Sequence, residues 1–236
     1  MDDVGKLAAP PLLPAILSVI AGCADVISFL GLDGLFNAHI TGNLVIIAAH
    51  IVAGQMANMA LLLSVPTFIV VLALTGLVAV WLERTAVNSL RLLLLVQFLL
   101  LAGFLGLCVA DGPHVDIRTT AGAVAGLLGV SAMAVQNALV QISLPRVPST
   151  AVLTTTVTRF TVDAVHVLIH RHDPDAIPAR QQMSVSWPVI VGFIAGTGLG
   201  AASFATAGLW SLALPTALAL VALAMSVATK LDRAQW

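Results

Sequence analysis

The sequence predicts an all-α integral membrane protein of about eight transmembrane helices, arranged as two homologous half-repeats. Three observations predict it. The 236 residues are 59% hydrophobic and only 9% charged, where a soluble domain carries about a quarter charged residues. Eight apolar runs follow one another with no room for a soluble domain between them. Gly22 to His50 sets one acidic residue, Asp25, inside an apolar run, breaks at glycines, and restarts with Thr41-Gly42-Asn43. A weaker copy of this arrangement recurs about 113 residues later.

A span needs roughly 20 apolar residues. Leu12–Leu30 is the first, then a turn at Gly31–Phe36, and Ala38–Ala53 is a short second. Leu61–Leu82 and Leu92–Ala110 are the third and fourth, joined by the polar connection Glu83–Arg91. After the loop Asp111–Arg118 comes Thr119–Leu144, ended by Pro145 and Pro148. Ala151–Ile169 is the sixth, followed by the longest loop, His170–Met183. Trp187–Ala207 and Leu209–Thr229 complete the set. Spans two and six are short and polar at their starts, so both read equally as re-entrant, which leaves six crossings.

The two halves are residues 12–110 and 119–229. Residues 37–51 align with 149–164, placing Thr41 against Thr154 and Asn43 against Thr156. Pro66 with Thr75-Gly76-Leu77 matches Pro188 with Thr197-Gly198-Leu199, and Gln136-Asn137 stand where the first half has Asp25. An even number of crossings per half gives parallel repeats and an odd number inverted ones; short interrupted segments in both halves point to a central site. With eight crossings, Lys6, Arg118, Arg171, Arg180, Lys230 and Arg233 share the side of the termini, against Arg84, Arg91 and Arg146. That bias puts both termini in the cytoplasm. Ile20-Ala21-Gly22-Cys23 has the form of a lipoprotein cleavage box, but the leader MDDVGK has two acids and one lysine where a signal peptide is basic.

A charge at bilayer depth is costly and tends to mark a path or a pairing. Asp25 is the first such charge. Thr155, Arg159, Asp163, His166 and His170 form the second group, within a stripe of roughly 80° on span six. That stripe reads either as a substrate or proton pathway or as a structural Arg159–Asp163 pair. His39, Asn43 and His50 echo it on span two, and the alignment sets His50 against Asp163 as though the stripes faced each other. A carboxylate whose proton affinity follows a moving partner such as Arg159 is the core of proton coupling; a static Asp25–Arg159 pair is the plainer alternative. Thr41, Gly42, Asn43, Thr154 and Thr156 supply polar coordination or cap the helix starts. His39, His50 and His166 are candidate proton relays. Gly192, Gly196 and Gly200 make a small-residue packing face, inside the bundle or at a homodimer seam. Cys23 and Cys108 read as packing residues, and Trp81, Trp187 and Trp210 as interfacial anchors.

No nucleophile–base set, phosphate loop or zinc spacing occurs, so neither an enzyme nor a cofactor or metal is expected. A net charge of -1 argues against nucleic acid and leaves the lipid bilayer and a small solute as partners. AGCADVISFL followed by FNAHITGNL resembles the YoaK family, over nearly the whole chain. The resemblance implies a bacterial inner-membrane multi-pass protein with a domain of unknown function and a second Thr-Gly turn, whose glycine is missing from Thr154-Thr155-Thr156. The expected function is a small-solute secondary transporter, proton-coupled through Asp25, Arg159 and Asp163. Its alternatives are a non-transporting assembly module and a passive channel.

Overall fold

This computed structural model describes residues 12–82, 88–110, 112, 115–144, 147–150, 153–170 and 174–228. They form α1 (Leu12–Gly31), α2 (Ile40–Val52), α3 (Met59–Leu82), α4 (Ser89–Ala110), α5 (Thr120–Ser143), α6 (Leu153–Ile169), α7 (Ile177–Ala207) and α8 (Ala213–Ala228). A 3-10 turn, Gly208–Leu212, joins the last two. Among the described residues there is no strand. Lys6, Arg84, Arg146, Arg171, Lys230 and Arg233, on which most of the charge bias rests, lie outside the described residues, as does Pro145.

Among the described residues, five helical stretches are long and apolar enough to cross a membrane: α1, α3, α4, α5 and the run Ile177–Ala228. The chain is thus, by length and composition, a multi-pass membrane protein. Neither α2, with 13 residues, nor α6, with 17, is among those stretches. α1 and α5 are the innermost helices, 67% and 78% buried, while α3 is 17% buried and apolar all round. Lipid offers no hydrogen bonds, so the polar side chains turn inward. Ser18, Asp25, Ser28, Asn37, Asn43, Gln97, Gln136 and Thr150 are all buried. Trp81, at the end of α3, and Trp210, in the 3-10 turn, are exposed, whereas Trp187, also exposed, lies inside α7 and not at the end of a span.

Close approaches set the helix directions. α1 and α7 run parallel along a glycine seam. A Cβ on Gly192 would lie 2.7 Å from Ala15 O, one on Gly196 2.4 Å from Val19 O, and one on Gly200 3.0 Å from Cys23 Cα. α1 and α5 run antiparallel: Gln136 bonds Leu17 O, while Gly129, earlier on α5, touches Asn37, which bonds Ala24 O further along α1. α4 and α8 are antiparallel too, through Arg91 Nε donating to Ser226 O and Thr216 Oγ1 to Leu101 O.

Two connections turn back into the bundle. After α1 ends, Asn37 and Ala38 return to the level of Asp25, about 9 Å inside Gly31. α2 starts there and runs back to the end it came from, since His50 shares a cavity with Asp33, just past α1. After α5 ends at Ser143, Thr150 returns to Gln136. α6 then runs along α7, with Phe160 and Val167 sharing a cleft with Arg180 and Trp187.

Candidate functional site

Asp25 sits in α1 at 3% exposure, and the returning turn brings its partners. Its Oδ1 accepts from the backbone N–H of Asn37 at 2.9 Å and of Ala38 at 2.6 Å, and its Oδ2 pairs with His39 Nδ1. The turn is pinned further by Asn37, whose Nδ2 donates to Ala24 O at 3.3 Å and whose Oδ1 accepts from Ser28 Oγ at 3.2 Å. His39 is the one member that is not enclosed, with 38% of its side chain exposed. Its ring packs edge-on against Phe193 of α7 at 5.6 Å between centroids. A buried carboxylate is thus joined to an accessible imidazole and, through it, to a helix of the other half.

Thr41-Gly42-Asn43 has a local task. Asn43 accepts from Phe36 N–H and donates to Phe36 O, both at 2.9 Å, reproducing the two-bond pairing of a backbone amide. A Cβ on Gly42 would lie 2.9 Å from Phe36 Cδ2, so glycine leaves room for that ring, which stacks on Phe29 at 4.7 Å. Thr41 is exposed. The motif expected to free backbone groups for coordination instead clamps the turn that carries Asn37, Ala38 and His39.

The second half has a counterpart built from amides and hydroxyls. Gln97 Nε2 of α4 donates to Gln136 Oε1 at 2.6 Å. Gln136 Nε2 donates to Leu17 O at 2.9 Å and to Thr150 Oγ1 at 3.1 Å. Ser18 Oγ donates to Val189 O at 2.6 Å, and Ser149 Oγ to Asn137 Oδ1 at 3.4 Å. Gln97 Oε1 is buried with no partner among the described residues. Where the first turn is held by a carboxylate, the second is held by neutral groups.

The other expected site residues are dispersed. Arg159 and Thr154 are exposed on α6, Asp163 and His166 are half-buried, and Thr156 is buried. Asp25–His39 is the one ion pair among the described residues, so neither the Asp25–Arg159 nor the Arg159–Asp163 pairing forms. The physical reason lies in the packing: α6 lies along α7, away from the turn that reaches Asp25. The stripes of α2 and α6 do not face each other either, because α2 packs on α3 and α6 on α7. His50 instead lines a cavity at the far end of α2. His166 and His170 stack at 4.6 Å, and no group of three or more His, Cys, Asp or Glu side chains gathers among the described residues. Asn37, Gln97 and Thr150 were not expected in the site; a polar residue inside an apolar run was the available signal for Gln97.

A family model described as a protein of unknown function, DUF1275, matches residues 13–225, and the chain belongs to that family. The match is consistent with the YoaK resemblance. No curated protein and no solved structure matches the chain.

Proposed function

We propose that this DUF1275 protein is a secondary transporter of a small solute, coupled to protons through Asp25 and His39. The observation that carries the reading is the buried Asp25 carboxylate, bonded to two N–H groups of the returning turn and to a half-exposed His39. A proton arriving through the imidazole weakens all three bonds at once, because charge-assisted hydrogen bonds are roughly twice as strong as neutral ones. The turn and α2 are then freer to move against α1 and α7. The second turn, held by Gln97, Gln136 and Thr150, has no group that titrates in this way, so only one half responds to the proton.

The architecture we infer is six crossings in two inverted halves, with α2 and α6 re-entrant. If α2, α3 and α4 all crossed, α1 and α5 would be parallel; their antiparallel packing supports two crossings between them, and α2 is the shortest helix. The same count applied to α4 and α8 leaves α6 out. Discontinuous segments paired across inverted repeats are the common form of transporter binding sites. By sequence, Lys6, Arg84, Arg91, Arg146, Arg171, Arg180, Lys230 and Arg233 then belong to the face of the termini and Arg118 alone to the opposite one. Eight against one places both termini in the bacterial cytoplasm more strongly than the eight-crossing count does.

The alternative is a non-transporting module, favoured by the fact that the Asp25 carboxylate bonds Asn37, Ala38 and His39, all of its own turn. Proton flux in proteoliposomes under a pH gradient separates the two, with a panel of small metabolites added to wild type and to Asp25→Asn. Flux that needs both a metabolite and Asp25 is expected. Metabolite-driven flux that survives Asp25→Asn sinks the coupling role, and flux in neither protein favours the module.

A further inference from the structure

A second polar site lies where α2 returns to the end of the bundle. The turn after α1, the last turn of α2, residues 55–59 and the approach to α5 line a half-open cavity of about 640 Å³, with Asp33, His50, Gln55, Asn58 and Arg118 among its residues. A cavity of several hundred cubic ångström with a few convergent polar groups is the usual form of a small-ligand site. Two nitrogen atoms of its lining residues, His50 Nδ1 and Asn58 Nδ2, are buried without a hydrogen bond among the described residues. Asn58 is 7% exposed, and its orientation is set because Oδ1 accepts from Leu61 N–H at 2.8 Å at the start of α3. Its NH₂ is therefore a fixed donor, and a buried donor left unpaired is costly enough to favour any acceptor that reaches it. Arg118 is exposed at the same cavity and makes no ion pair among the described residues.

We propose that this cavity binds a small organic monocarboxylate. The guanidinium of Arg118 matches a carboxylate with two parallel N–H groups. Asn58 Nδ2 supplies a third donor, and His50 Nδ1 a fourth in the tautomer that carries its proton there. Among the described lining residues Asp33 is the one carboxylate, and a second acidic group on the ligand would meet its like charge, which favours monocarboxylates. Binding here does not require transport. Only the orientation of the cavity, on the face opposite the termini, rests on the six-crossing reading.

The test is thermal unfolding of the full chain in detergent, titrated with sodium acetate, lactate and benzoate beside sodium chloride at equal ionic strength. At least one carboxylate raises the unfolding temperature saturably where chloride does not. Asn58→Asp keeps an oxygen to cap α3 but replaces the donor with a negative charge, and Arg118→Gln removes the guanidinium at an exposed position. Each is expected to weaken the carboxylate response at least tenfold. If none of the three salts acts beyond chloride, or both variants respond like wild type, the site is overturned. Should Asn58→Asp fail to fold, Arg118→Gln decides alone. Carboxylate binding without any Asp25-dependent flux overturns transport and leaves this site standing; flux without carboxylate binding does the reverse.

Discussion

Truncating Asp25 tests whether the carboxylate holds the returning turn. In Asp25→Ala the N–H groups of Asn37 and Ala38 lose their shared acceptor in a buried site. Each buried donor left unpaired costs about 1–3 kcal/mol, so the pair costs about 2–6 kcal/mol. The loss of the His39 contact adds to this. Against a typical total stability of about 5–15 kcal/mol that is a large fraction. Asp25→Asn keeps an oxygen at the Oδ1 position and nearly the same volume, and loses only the charge-assisted increment, about 1 kcal/mol per bond. The expected order of stability is therefore wild type, then Asn, then Ala. Denaturant unfolding in detergent micelles gives the order, and hydrogen exchange reports the turn itself. Exchange at Asn37 and Ala38 should accelerate strongly in Asp25→Ala and only slightly in Asp25→Asn. An Ala variant as stable as wild type, or Asn and Ala variants that fall together, would refute the capping role.

Two further predictions concern the bundle. Gly196→Ala places a Cβ against Val19 O, which is backbone and cannot rotate away, so the α1–α7 seam must open. A destabilisation of about 1–3 kcal/mol is expected, whereas Gly198→Ala, with nothing within 4 Å of its Cβ, should change stability by less than about 0.5 kcal/mol. Comparison of the two unfolding midpoints checks it. The topology is tested by membrane-impermeant thiol labelling of Asp33→Cys and Gln55→Cys in a background with Cys23 and Cys108 replaced. Six crossings predict labelling of both from one face, because both positions line the same cavity. Labelling from opposite faces would restore α2 as a full span.

The primary structure alone determined the all-helical membrane class and the approximate places of the long apolar stretches, and it singled out Asp25. Apolar runs of about 20 residues are legible because the bilayer imposes their length, and Asp25 is legible because a carboxylate in such a run demands an explanation. The pairing of Asp25 depended on which segment folds back to its depth. Composition favoured the strongest cation, Arg159, but α6 lies along α7, and the turn carrying Asn37, Ala38 and His39 reaches the carboxylate first. The task of Gly42 and Asn43 was hidden for a similar reason: clamping Phe36 is a contact across a turn, which helical periodicity does not encode. Gln97 meeting Gln136, and Arg118 meeting His50 at one cavity, required segments far apart in sequence to be placed side by side. Length and polarity are local properties and can be read from the chain. Helix direction and the depth of a returning turn are set by close packing between distant segments, such as the glycine seam of α1 and α7, and only the tertiary structure decided them.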